Sequence, residues 1–426
     1  MEKKLKLSAV TTACALVVGV GAAVGLSSCG NTYGGPSITI SGPASQSQWL
    51  SARLADFNAT HFDSDADRIN FTIVAHGEDK VDSEITNWAT GPNVYAYASD
   101  KIQPLYAANA LAPVPDEYVT QLEQQVGDGA MEAATFANDT YAYPYTGDNG
   151  YFLMYNDDYV TADQASDIYS LVDAAKAAGK KIAYPIEEAF YGAGALFTFG
   201  AGYDIEFTAT GAVSSVDATF DTDLGFKAAK AFVDLLKYAG DTIITDTGGQ
   251  AAPDGETLVA VVDGSWNAAS YTETVGDSLQ MSKLPTITYN KGQADEETKT
   301  IGSFLGYKLY GVNPQANGGD PEIVQLSHDI AMYLTSADVQ ENRFDELQIV
   351  PTNETVLEME KVQDSKVVKA IGDQGKYATA QTAVPGNLWS APNTFWQNVT
   401  ENYDTLTDEQ IREALATLNT TVEESR

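Results

Sequence analysis

Between Tyr141 and Asn156 the chain reads Tyr-Ala-Tyr-Pro-Tyr-Thr-Gly-Asp-Asn-Gly-Tyr-Phe-Leu-Met-Tyr-Asn. A carboxylate (Asp148) and an amide (Asn149) stand side by side here, ringed by tyrosines that include Tyr151. Such groups can hydrogen-bond a hydroxyl-rich ligand while aromatic rings cover its apolar faces. Pro144 fixes φ and removes a backbone donor, which predicts that strand pairing stops there. Thr146-Gly147-Asp148-Asn149-Gly150 supplies residues that tolerate turns. Tyr151–Tyr155 is apolar throughout, as in a strand buried on both faces. The stretch therefore reads as a flexible joint between two buried strands, the layout of a sugar site at a domain crossing. The competing reading is a tyrosine-rich hairpin inside one domain.

Two further places carry polar chemistry beside a buried strand. Asn93–Ala98 runs into Ser99-Asp100-Lys101, and residues just past the carboxyl end of a strand are where open α/β sheets place ligand contacts. Asp100 can accept paired hydroxyl donors with Lys101 as its charged neighbour; the alternative is a helix cap and a surface lysine. Thr257–Val262 is apolar and leads through Asp263-Gly264-Ser265 to Trp266, a tryptophan at the end of a turn.

Composition excludes several other chemistries. A net charge of −35 repels nucleic-acid phosphates and anionic lipid headgroups alike. The only cysteines are Cys14 and Cys29, and His61, His76 and His328 show no metal-ligand spacing. The body of the chain thus has no disulfide, thiolate metal site or cysteine nucleophile, and the reading calls for no cofactor or metal. The acidic run Asp63-Ser64-Asp65-Ala66-Asp67 fails the EF-hand pattern, which needs glycine where Arg68 stands and glutamate where Val74 stands. It reads as a solvated loop.

Lys3, Lys4 and Lys6 precede an apolar run from Leu7 to Leu26, the charge order of a secretory signal. Its end, Leu26-Ser27-Ser28-Cys29-Gly30, resembles the lipobox of bacterial lipoproteins. That resemblance implies a signal peptide over 1–28, a lipid on Cys29, and a short Gly/Pro/Ser tether over 29–37. An uncleaved membrane helix is the rival reading.

The elements that must position these residues alternate between strand and helix. Ile38–Ser41 is a strand, Gln46–Phe57 a helix with Leu50, Leu54 and Phe57 on one face, Asn70–Ala75 a strand and Val81–Ala89 a helix. Asp163–Ala178 is amphipathic and stops at Gly179, and Asp223–Ala239 stops at Gly240. Glu187-Glu188-Ala189-Phe190-Tyr191 follows the strand Lys181–Pro185. Ile301–Val312 is a long strand, or two, interrupted by Gly302 and Gly306. Asp320-Pro321-Glu322 starts a helix, and Thr407-Asp408-Glu409-Gln410 is a capping box for the last one. A chain of 426 residues exceeds what one core supports, so two domains are expected.

Four segments in order resemble the bacterial extracellular solute-binding proteins of family 1, the carbohydrate-binding components of ABC importers related to maltose/maltodextrin-binding proteins. They are Gly91–Lys101, Tyr141–Asn156, Val261–Trp266 and Thr394-Phe395-Trp396. The resemblance implies a two-lobed α/β fold of the periplasmic-binding-protein type (type II), with the ligand in a cleft between lobes joined by hinge crossovers. The lobes would comprise 36–147 with 301–348, and 150–298 with 353–426. Carried over residue by residue, Asp100 and Lys101 would bind sugar hydroxyls with Tyr97 beside them. Asp148 or Asn149 would be the polar contact of the crossover. Glu188, Phe190 and Tyr191 would form the lip of the second lobe, and Trp266, Trp396 and Trp389 would stack on sugar rings. One departure is clear: where maltose-type proteins offer an Asp-Lys pair after the first strand, this chain has Gly42-Pro43-Ala44-Ser45, leaving Ser45, Gln46 or Trp49 as substitutes.

The reading is therefore a non-enzymatic, monomeric solute-binding protein, lipid-anchored on the extracellular face of the cell membrane. It would capture a carbohydrate, a maltodextrin or a related oligosaccharide, and deliver it to ABC transporter permease subunits by hinge closure. The alternatives are a lipid-anchored glycoside hydrolase, which needs two carboxylates roughly 5–10 Å apart across the cleft, and a binding lipoprotein for a non-sugar cargo such as a peptide or polyol.

Overall fold

The computed structural model describes residues 26–27, 32–208 and 210–425. Apart from 26–27, the expected signal peptide lies outside the described residues, as does the lipobox cysteine Cys29. Among the described residues no helix is long and apolar enough to cross a membrane.

One curled mixed sheet of eleven strands forms the spine. From one edge its order is Leu26–Ser27, Asn70–Ala75, Ser37–Gly42, Val94–Ala98, Ser303–Val312, Ala142–Asn156, Leu258–Gly264, Lys181–Ala183 and Ile243–Ile244. Leu279–Ser282 also pairs with Ala142–Asn156, and Ala378–Ala380 with Ser303–Val312. Helices such as Ser47–His61, Asp223–Ala239 and Pro321–Leu334 flank it. Their ends follow the sequence signals: the Asp320 side chain accepts from Glu322 N with Pro321 at the first turn, and the Thr407/Gln410 capping box forms.

The long strand Ala142–Asn156 is continuous, where the sequence predicts two strands split at Pro144. It absorbs the irregularity as bulges against its partner Ser303–Val312 instead. Leu309 faces Pro144, Lys308 faces Thr146 and Gly306 faces Asn149, so the long strand carries an extra residue twice within this short span. Bulges of this kind let a strand keep pairing past a residue without an N–H, and they re-aim the side chains beside them. Here they turn the side chains of Thr146, Asp148 and Asn149 toward one opening.

Apolar packing divides along this same strand. Tyr143 and Tyr145 pack with Ile38, Leu54, Val94, Tyr310 and Ile330. Tyr151 and Leu153 pack in a separate cluster with Val172, Phe232, Val262, Phe304 and Leu415. The change of core falls between Tyr145 and Tyr151, which is where a two-lobed fold needs its crossing.

Two local expectations are corrected. Val81–Ala89 is not one helix: Val81–Glu84 ends in extended backbone at Ile85, and the Asn87 side chain caps a 3-10 turn over Trp88–Thr90. Nor is the segment before the first strand a free tether up to Ser37. Tyr33 N donates to Asn70 Oδ1 at 2.9 Å, and Gly34 N and Gly35 N donate to the carbonyls of Asp65 and Arg68. A Cβ on Gly34 or Gly35 would come within 2.6 Å of backbone oxygen, so only glycine permits this approach. The acidic 63–67 loop forms the other half of this clamp, with Asp65 paired to Arg68 at 2.6 Å.

Candidate functional site

A cleft of about 830 Å³ opens along the ends of the strands. Three parallel neighbours in the sheet deliver one wall at their carboxyl ends. Ser45 and Gln46 follow Ser37–Gly42, Glu78 to Lys80 follow Asn70–Ala75, and Asp100 and Lys101 follow Val94–Ala98. The opposite wall is aromatic: Phe190 and Tyr191 at the start of the helix Ala189–Phe197, Trp266 after Leu258–Gly264, and Trp389. The floor is made by Thr146, Asp148 and Asn149 from the bulged strand and by Lys308 from its partner.

The floor is a buried charge network. Lys308 Nζ lies 2.9 Å from Glu78 Oε2, with both side chains at least 85% buried. The other Glu78 oxygen accepts from the Tyr145 hydroxyl. Asp148 accepts from the Thr146 hydroxyl and from Val350 N, and its backbone carbonyl accepts from Ser265 Oγ at 2.6 Å. Burial pushes the Asp148 carboxyl up, opposed by nearby Lys308. Burial pulls the Lys308 ammonium down, but Glu78 and Asp148 outweigh it and raise the pKa overall. Behind the network Arg343 is buried between the rings of Trp49 and Tyr145, 4.3 and 4.4 Å from their centroids, and donates to the Tyr310 hydroxyl.

Asp100 sits deeper than an exposed cap would. Its carboxyl is pushed up to about 6 by burial, which the Lys101 ammonium opposes. Lys101 Nζ is 3.7 Å from both Asp100 Oδ2 and Asp82 Oδ2. Glu188 plays two parts: it faces the cleft, and its side chain caps the helix by accepting from Phe190 N at 3.1 Å. Burial raises its carboxyl too.

On the aromatic wall Phe190 lies 6.1 Å from Trp266 and 6.3 Å from Trp389, centroid to centroid, with Phe304 stacked behind Phe190. Trp266 is 47% exposed, and Lys308 Nζ lies 5.8 Å from its ring. The cleft thus sets rings on one side against carboxylates, amides and an ammonium on the other. That arrangement suits a ligand with apolar faces and a rim of hydroxyls.

Asp100, Lys101, Asp148, Asn149, Glu188, Phe190, Tyr191, Trp266 and Trp389 all line this one cleft. Three predicted residues do not. Tyr97 is fully buried because every residue of Val94–Ala98 is covered on both faces. Tyr151 stands behind the wall, its hydroxyl donating to the Phe190 carbonyl at 3.2 Å. Trp396 is fully buried, with Nε1 donating to the Gly192 carbonyl and its ring against Phe232 and Phe395. A stacking role needs an open ring face, so Trp396 belongs to the core. Of the substitutes for the missing Asp-Lys pair, Ser45 and Gln46 reach the cleft, while Trp49 is buried and donates to Asn342.

Glu78, Lys308 and Gln381 were not identified from the sequence. Glu78 follows a strand just as Asp100 does, so the same placement rule would have found it. Lys308 and Gln381 carry no local signal, because their positions depend on bulges and on pairing with distant strands.

Similarity to known proteins agrees with this geometry. Residues 52–370 match the family described as bacterial extracellular solute-binding protein. A galactooligosaccharide-binding protein of Bacillus subtilis (strain 168) is 21% identical over 142 residues, which span 33% of this chain and 30% of that protein. A maltodextrin-binding protein from L. casei BL23, solved without ligand, superposes with a TM-score of 0.76 at 17% identity, over 92% of this chain and 100% of its own. The maltose/maltodextrin-binding domain from Bdellovibrio bacteriovorus, bound to maltotriose, gives 0.71 at 18% identity over 91% and 99%. These likenesses establish the two-lobed fold of the maltose-binding type. With three quarters of its length inside the family match, the chain belongs to the bacterial extracellular solute-binding proteins.

Proposed function

We propose that the chain captures an oligosaccharide in this cleft and hands it to the permease subunits of an ABC importer, without chemical conversion. The observation that carries the reading is the pairing of the Phe190–Trp266–Trp389 wall with the polar side formed by Asp100, Lys101, Asn149 and Lys308 in one cleft. Sugar-bound relatives of the same fold support it. The lobes comprise 36–147 with 301–348 and 150–298 with 353–426, a division supported by the change of core between Tyr145 and Tyr151. The molecule acts as a monomer, held at the outer face of the cell membrane by a lipid on Cys29.

Binding works by closure. A ligand that touches both walls only when the lobes are together stabilises the closed state by its difference in affinity for the two states. A micromolar ligand supplies about 8 kcal/mol in total, enough to make a minority state dominant. The test is calorimetric titration of the purified chain from Asn31 with maltotriose and with a galacto-oligosaccharide, followed by product analysis. Saturable heat with intact sugar supports the reading. Shortened sugar would transfer the protein to the hydrolases, and no heat with either sugar would reject this ligand class.

A further inference from the structure

Resting on the reading of the cleft as a sugar site, we infer that Gln381 is the residue that positions the binding groups Asp100 and Asn149. Its side chain lies between them. Nε2 donates to Asp100 Oδ1 at 3.0 Å, and Oε1 accepts from Asn149 Nδ2 at 2.8 Å. All three residues are more than nine-tenths buried. The backbone of Gln381 is held equally firmly: its N donates to the Leu305 carbonyl at 3.0 Å, and its carbonyl accepts from Ser99 Oγ at 2.5 Å. Gly306 makes room for it, since a Cβ there would stand 2.9 Å from Gln381 Cβ.

This bridge joins three parts of the chain that sequence distance keeps apart: the turn after Val94–Ala98, the bulged centre of Ala142–Asn156, and the segment that follows Ala378–Ala380. Because Gln381 engages Oδ1 of Asp100, Oδ2 is left for Lys101 and for a ligand hydroxyl. Because it takes one amide hydrogen of Asn149, it fixes the orientation of that amide, and no donor among the described residues engages Asn149 Oδ1. The bridge therefore decides which atoms of both residues face the ligand, and a hydrogen bond to an ionised carboxylate is among the stronger ones available. Gln381 also favours the charged form of Asp100, in the same direction as Lys101 and against burial and Asp82. Tyr203 is a further titratable neighbour, its hydroxyl raised by burial and by the Asp100 charge.

Two readouts test the inference, one of them free of ligand. In the ligand-free chain, carboxyl carbon NMR, with Asp100 assigned by Asp100→Asn, follows its titration in wild type, Gln381→Leu and Gln381→Asn. The Asp100 midpoint should move up in Gln381→Leu, and less in Gln381→Asn, which keeps a donor. With maltotriose, Gln381→Leu should bind about tenfold or more weaker, the size of a charge-assisted hydrogen bond, with part recovered in Gln381→Asn. An unmoved Asp100 midpoint, or maltotriose affinity within twofold of wild type, would overturn the positioning role. If wild type itself takes neither maltotriose nor a galacto-oligosaccharide, the sugar assignment fails on that result alone, and the ligand-free titration still decides whether Gln381 holds Asp100.

Discussion

Replacing Lys308 by methionine keeps an unbranched side chain only one atom shorter and removes the cation from the cleft floor. The Nζ–Oε2 separation from Glu78 is 2.9 Å, with side-chain exposures of 15% and 9%. At an effective dielectric of about 20 the gross attraction at that distance is about 6 kcal/mol, much of it offset by the desolvation of both groups. What the substitution exposes is the remaining penalty: Glu78 stays buried, hydrogen-bonded through the Tyr145 hydroxyl but without its counter-ion. Removing one partner of a buried pair costs about 3–5 kcal/mol, and the partial exposure of Lys308 places this case near the lower end. Against a total stability of roughly 5–15 kcal/mol, the loss is large. Urea unfolding followed by tryptophan fluorescence measures it at neutral pH, and the double variant Glu78→Gln/Lys308→Met should recover at least half. A single variant within about 1 kcal/mol of wild type, or a double variant no more stable than the single, would refute the reasoning. The sign with pH is fixed as well. The folded pKa of Lys308 is raised, so its contribution is full below the unfolded value near 10.4 and fades as pH rises past it.

Three further outcomes follow. Trp266→Ala should leave folding intact and weaken sugar binding by more than about 1 kcal/mol, whereas Trp396→Ala should cost about 3–5 kcal/mol of stability as a core cavity; calorimetry beside thermal unfolding separates the two. Sugar hydroxyls donating to Asp100 favour its ionised form, so affinity should be greatest above its folded pKa of about 6 and fall as pH drops through that value; a flat profile in calorimetry between about pH 5 and 8 contradicts this. Cys29→Ala should release the protein from the membrane fraction, and unchanged attachment would point to an uncleaved apolar segment.

The cleft was legible where short segments follow strands. Asp100, Lys101, Asn149 and Trp266 stand just past strands or at bulges, where their placement together with the family resemblance pointed to them. Residues buried within elements misled. Trp396 sits in the Phe395-Trp396 pair that entered through the family resemblance, but the helix Ala391–Asn402 turns it toward Gly192 and Phe232. Tyr97 lies one position before the end of a strand covered on both faces. Pro144 marked a real irregularity, yet its consequence was a bulge rather than a break, because the long strand could leave a residue out of the pairing and continue. Lys308 lies in the strand Ser303–Val312, and nothing local separates it from a solvent-facing lysine. Its role comes from register with Thr146 and from the distant Glu78. Gln381 is hidden for the same reason.

The claim that two lobes close on a sugar is tested most directly by the radius of gyration in solution scattering, taken without ligand and with the sugar that calorimetry shows to be bound at saturation. The bulged span Pro144–Gly150 must then change conformation, with Gly147 and Gly150 best able to absorb the rotation, and Gly147→Pro should restrict it. The account predicts a smaller radius for the wild type at saturation and a reduced change in Gly147→Pro. A wild-type radius that stays constant at full occupancy would contradict capture by closure.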